Sequence, residues 1–190
     1  MWEGRGMTRP RENTDNSEGV VVITGYHGTS SRFVEAILSE GFRSSRNEYD
    51  WLGDGVYFFQ DAPDRAQEWA QCLYGEDAVV MMAEVNLKDC MDLLDIRWSS
   101  FLAEAYDQFL GHARQAEMSL PRQTSGAHRL DRAVINYAVG VLRRQRIMIR
   151  SVRAAFSEGR PVFPNSAIYD RSHVQIAIRD VSVIHSVQVL

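Results

Sequence analysis

His27-Gly28-Thr29 follows a β-branched run, GVVVITGY, at residues 19–26. A glycine there lets a ligand approach the main chain and reach its N–H and C=O groups. A neighbouring imidazole can hold a hydroxyl. Taken alone, a strand-to-helix turn explains the same triplet. A second stretch, LGDGVYFF at 52–59, has a Gly-x-Gly step but not the further glycine of a dinucleotide-binding turn. Within it Tyr57 suits either a core aromatic with a satisfied hydroxyl or the wall of a ligand site. Trp69 likewise suits a helix core or a stacking surface. In a third stretch, HVQIAIR at 173–179, strand alternation sets His173, Gln175, Ala177 and Arg179 on one face. Val174, Ile176 and Ile178 line the other. The polar face is read as one side of a cleft or as an ordinary half-exposed strand.

The elements that must position these groups alternate in kind. A strand at 19–26 leads to a helix capped by Ser30 or Ser31, with Phe33, Val34, Ile37 and Leu38 on one face and Gly41 ending it. A polar loop at 42–54 precedes a strand at 55–59. Asp61 and Pro63 open a second helix through Leu73, and AVVMMAEVNL at 78–87 reads as a buried strand. Helical periodicity then covers 99–118 and 129–156, and strands return at 173–179 and 181–190. Residues 1–19 are polar and aperiodic, which predicts a flexible tail before one domain at 20–190. The expected fold class is mixed α/β (α+β) with a helical pair inserted at about 97–157.

Taken in order, the stretches YHGTSSRFVEAILSEGFRSS, WLGDGVYFFQDAPDRAQEWA, AVVMMAEVNLKDCMDLLD and HVQIAIRD form a series that is similar to the catalytic core of poly(ADP-ribose) polymerases. More distantly it resembles diphtheria-toxin-like ADP-ribosyltransferases. The resemblance covers about 20–95 and 168–190. It implies a split β-sandwich with NAD as co-substrate in the cleft between two small sheets. It implies that His27 bonds the adenine-side ribose, that the Gly28 main chain grips the nicotinamide carboxamide, and that Thr29 is the hydroxyl residue following. Arg43 then lies near the dinucleotide, Tyr57 lines the nicotinamide pocket, and Trp69 is the second stacking aromatic. The family's serine on the second helix is absent, with Arg65 or Ala66 near its place.

The late strand departs from the family, which has glutamate where this chain has Gln175. A carboxylate can accept ribose hydroxyl protons and stabilise an oxocarbenium-like centre, whereas an amide only orients them. Polymer elongation is therefore expected to be lost and a single transfer retained, with His27, Tyr57 and Gln175 carrying the catalysis. His173 is a candidate base. The leading expectation is a mono-ADP-ribosyltransferase of bacterial toxin or defence type, acting on a protein or nucleic-acid acceptor. A pseudoenzyme that binds NAD or ADP-ribose, and a nucleic-acid or partner-binding module, stay open.

Charge gives that last reading its footing. Residues 1–120 carry 21 acidic and 10 basic side chains, and 121–190 carry 4 and 11. Arg143, Arg146, Arg150 and Arg153, spaced 3, 4 and 3, are expected to form one stripe on the second inserted helix. Such a stripe suits RNA or DNA phosphates, an acidic antitoxin, or plain solvent. Two cysteines, Cys72 and Cys90, make neither a disulfide framework nor a four-cysteine metal site, so no metal is expected. No apolar run has the length of a membrane span, and the N-terminus lacks a secretory apolar core. A cytosolic setting follows, or delivery to a target-cell cytosol without a cleaved signal.

Overall fold

A computed structural model describes residues 21–45, 47, 49–124 and 127–190; the expected tail at 1–19 lies outside the described residues. The strands are β1 (Val22–Ser30), β2 (Val56–Gln60), β3 (Ala78–Asn86), β4 (Cys90–Asp92), β5 (Ser151–Phe156), β6 (His173–Ile178) and β7 (Ile184–Val189). The helices are α1 (Ser31–Glu40), α2 (Pro63–Tyr74), α3 (Ile96–Gln115) and α4 (Arg129–Arg144). The strand order is β4-β5-β6-β2-β1-β3-β7. All neighbours are antiparallel except the β4/β5 pair.

The two small sheets that were expected are hydrogen-bonded into one seven-stranded sheet, whose halves meet at one narrow seam. β1 pairs with β3 along its whole length, Val22↔Asn86 to Ser30↔Ala78. It pairs with β2 only at Gly25↔Gln60 and Tyr26↔Phe59. Past that point β1 and β2 diverge. The halves also pack face to face, because Val56 and Phe58 of β2 and Ile176 and Ile178 of β6 share a core with Ala83 and Val85 of β3. The opposite face of β5 and β6 is covered by α3 and α4, which bury Phe101, Ala105, Ile135, Ala138 and Leu142 against Val152, Ala154 and Ala177. β6 is thus enclosed on both sides, so its non-aliphatic face is not solvated along its length.

The helix expected over 129–156 ends at Arg144. Arg146 takes a left-handed φ of 63°, its N–H bonds the Arg143 carbonyl at 3.0 Å, and the Ile147 N–H bonds the Leu142 carbonyl at 3.0 Å. This is a Schellman ending with arginine where glycine is usual, so the sequence carries no conspicuous stop. The chain then enters β5, whose alternation buries Val152 and Ala154. The expected helical stripe of four arginines therefore does not exist. Only Arg143 lies on α4, and Arg146 caps it. Arg150 pairs with Asp89 at 3.3 Å and Asp180 at 2.9 Å, while Arg153 pairs with Asp92 at 2.6 Å. Two of the four are structural ion pairs that tie β5 to its surroundings.

Candidate active site

Where the β1/β2 ladder stops, a side chain takes over. Continued by two residues, the register would set Gly28 opposite Tyr57. Instead the strands part, and the His27 ring Nδ1–H donates to the Tyr57 carbonyl at 2.8 Å. His27 is wedged between Phe42 and Phe58, with ring centroids 5.2 and 5.5 Å away. Burial holds its pKa below the ordinary histidine value, against the raising effect of that carbonyl. The ring is therefore neutral near pH 7, and with Nδ1 committed as donor, Nε2 is its acceptor.

The triplet expected to follow the first strand lies inside it. A Cβ on Gly28 would meet the Ala66 carbonyl oxygen at 2.4 Å and the Ala70 Cβ at 3.1 Å. Glycine at 28 is thus dictated by the close crossing of α2 over β1. Thr29 is buried in β1, 3% exposed, and is not part of the cleft wall.

The parted strands open a cleft of about 320 Å³, at the lower end of the range of small-molecule sites. His27, Gly28, Arg43, Tyr57, Trp69 and Gln175 all line it. Gln175 arrives through register, because β6 pairs with β2 with Gln175 opposite Phe59 and Ala177 opposite Tyr57. The Tyr57 hydroxyl donates to the Gly53 carbonyl and accepts from the Leu52 N–H, both at 2.8 Å. Burial, then the nearby Asp50, push its pKa up, so it stays a phenol. Trp69 meets Tyr49 edge-on at 5.5 Å. Arg43 stands at the exposed rim, paired with Glu40 at 2.6 Å.

Sequence reasoning missed the far wall, formed by Trp51, His128, Phe156 and Glu158. Phe156 was masked by the helical reading of β5. Trp51 stands two residues before the Gly-x-Gly step, which is the one signal that would have flagged it. Arg65, near the place of the absent serine, also lines the cleft and pairs with Glu68 and, at 2.7 Å, with Glu158. The expected base, His173, sits behind the wall. It is 8% exposed, donates from Nδ1 to the Arg171 carbonyl at 2.7 Å, and packs on Phe59 at 4.9 Å. It is not a cleft-lining residue. Among the described residues no cluster of three His, Cys, Asp or Glu side chains can hold a metal, and no helix is long and apolar enough to cross a membrane.

A model of the poly(ADP-ribose) polymerase catalytic domain matches residues 8–141. The chain belongs to this family. No curated protein matches it. As a member of the poly(ADP-ribose) polymerase family it is an NAD-dependent ADP-ribosyltransferase, and NAD is its co-substrate. The matched range runs through α3 and most of α4, beyond the portion in which the resemblance was legible, and stops before β6. Gln175 is thus placed by strand pairing rather than by the family match. The cleft suits a dinucleotide chemically: a neutral imidazole acceptor, a strand edge free of its neighbour, aromatic rings at Tyr57 and Trp69, and the Gln175 amide face one space.

The buried histidines make a pH prediction. His27 and His173 are both held below the ordinary value, chiefly by burial; Arg65 lowers His173 further, and the Arg171 carbonyl and Glu158 act in the opposite direction. The unfolded chain takes up protons near pH 6.5 that the folded chain refuses, so stability is intact above that pH and falls as pH drops below it. The slope is at most about 1.4 kcal/mol per pH unit for each histidine still neutral in the fold. Urea unfolding at pH 7.5 and 5.5 checks this. The pH dependence should flatten in the His27→Gln/His173→Gln double variant.

Proposed function

We propose that this chain is a mono-ADP-ribosyltransferase, moving one ADP-ribose unit from NAD to a protein or nucleic-acid acceptor and releasing nicotinamide. The glycosidic bond to nicotinamide breaks, a bond from C1 of that ribose to the acceptor forms, and the acceptor's proton, where it carries one, passes to solvent. The observation that carries the reading is Gln175. It lines the same cleft as His27, Gly28, Tyr57 and Trp69, in the position where the resemblance leads one to look for glutamate.

An amide cannot take a proton or hold negative charge, and extending a polymer requires activating a ribose hydroxyl of the previous unit. The lining group best able to accept a proton there would be a free carboxylate. Glu158 is already paired with Arg65. Asp50 accepts from the Ser45 hydroxyl at 2.8 Å and from the Asn47 N–H at 2.5 Å. Burial pushes its pKa up, while the Ser45 and Asn47 hydrogen bonds act in the opposite direction. Positioning of donor and acceptor, with departure of nicotinamide, is left to supply most of the rate.

We further propose a toxin or defence setting. The experiment is incubation of the protein with adenine-labelled NAD and a lysate from a susceptible host, followed by mass spectrometry of protein and nucleic acid. Single ADP-ribose adducts with equimolar free nicotinamide are expected. Saturable NAD binding with neither product would make the chain a pseudoenzyme, and chains of linked ADP-ribose would overturn the single-transfer reading. Expression in that host should arrest growth with the parent sequence but not with His27→Ala.

A further inference from the structure

The Gln175 side chain is not free to choose its orientation. The indole Nε1–H of Trp51, 124 residues away in sequence, donates to Gln175 Oε1 at 2.5 Å. An indole N–H only donates, so the amide oxygen must be the atom facing Trp51. The Gln175 Nε2 group makes no hydrogen bond among the described residues.

Trp51 is itself held from two sides. Its ring lies on Phe156, with centroids 4.7 Å apart at 35°. Its main chain belongs to the 50–54 turn, which α4 grips through one carboxylate and one amide. Asp54 accepts from Arg132 at 2.8 Å and from Asn136 Nδ2 at 3.2 Å. Asn136 Oδ1 accepts from the Asp54 N–H at 3.2 Å and from Arg179 at 2.9 Å. Gly53 has a left-handed φ of 85°, and a Cβ there would meet Asn136 Oδ1 at 2.7 Å. Burial pushes the Asp54 carboxyl up, but the Arg132 and Asn136 hydrogen bonds outweigh it and hold the group below its ordinary value, so it is ionised near pH 7.

We infer that Trp51 is a positioning residue for Gln175: it locks the carboxamide with its amino group toward the cleft, and α4, through Arg132 and Asn136, locks Trp51. The inference rests on the transferase reading for its effect on rate, and on the geometry alone for the contact. An unrestrained glutamine amide flips between donor-forward and acceptor-forward states. Locked in this way it offers only N–H donors, so the ligand atom it meets must be an acceptor, such as a ribose hydroxyl oxygen. Helix α4 thereby gains a role in the chemistry without touching NAD.

Two replacements at position 51 separate the N–H from the ring. Trp51→Phe loses both the bicycle and the donor. Incorporating 3-benzothienylalanine keeps the bicycle and replaces the N–H by sulfur. Both are expected to lower kcat for nicotinamide release by about 10-fold, the effect of one lost hydrogen bond, with KM for NAD within about 2-fold. A benzothienylalanine variant with parental kcat would show that ring shape alone matters and would overturn the inference.

The contact is read separately from the Trp51 indole N–H resonance, assigned by its loss in Trp51→Phe. It should move upfield in Gln175→Ala and broaden in Asn136→Ala. An indole resonance indifferent to Gln175→Ala overturns the inference even in a fully active protein. If the parent neither binds nor consumes NAD, the transferase reading fails, and the same resonance still decides whether Trp51 holds Gln175.

Discussion

His27→Ala and Tyr57→Ala should each eliminate detectable nicotinamide release, with NAD affinity reduced by about 100-fold or more. At position 27 the loss is double. The cleft loses its neutral acceptor, and the Tyr57 carbonyl loses its only side-chain donor among the described residues. A buried carbonyl left unpaired costs about 1–3 kcal/mol, to which the lost ligand bond adds. At position 57 an aromatic wall disappears, worth about 0.5–1.5 kcal/mol beyond its burial. The hydroxyl that clips Leu52 to Gly53 goes with it, so the 50–54 turn loosens. Tyr57→Phe separates the two effects by keeping the ring and removing the clip. Calorimetric NAD titration alongside circular dichroism is the measurement. Folded variants that consume NAD at the parental rate would show that the cleft is not the NAD site.

Gln175→Ala and Gln175→Glu should move in opposite directions. Alanine removes the group facing the cleft and strands the Trp51 indole N–H without its acceptor. Transfer is expected to fall about 100-fold, combining the lost ligand contact with the unpaired donor. Glutamate offers Trp51 the same acceptor and adds the charge that the amide lacks. Turnover should be kept or raised, with NAD hydrolysis or short ADP-ribose chains appearing as new products. Nicotinamide release and gel mobility of the labelled product report both outcomes. Full activity in the alanine variant would remove Gln175 from the site.

Much of this arrangement was legible one residue at a time. Strand alternation in HVQIAIR, the β-branched run before His27 and the GVYFF run that holds Tyr57 mark β6, β1 and β2. Once those three strands are paired, the cleft residues converge. The failures have two physical causes. Arg146 in a left-handed cap ends α4 without glycine or proline, so periodicity ran on through β5 and created a stripe that does not exist. Trp51 sits in a polar loop, and its partners Gln175 and Phe156 are more than a hundred residues away. No local pattern encodes such a contact. The hold of Arg132 and Asn136 on Asp54 was hidden for the same reason: polar residues on an amphipathic helix look like a solvated face until the turn they grip is in place.

The two-residue seam between β1 and β2 also bears on how this protein stays in solution. A strand edge without a neighbour is ordinarily an invitation to another chain, and proteins blunt such edges with charge, proline or bulges. Here β1 loses its β2 partner from His27 onward. The orphaned edge lies at the floor of a cleft walled by Trp69, Trp51 and Tyr57, where an extended polypeptide cannot lie alongside it but a small molecule can. One gap in the ladder serves both recognition and protection against edge-to-edge aggregation. A substitution that widens the cleft to admit larger ligands would uncover the edge as well, so engineered gains in ligand size should come with a rising tendency to self-associate.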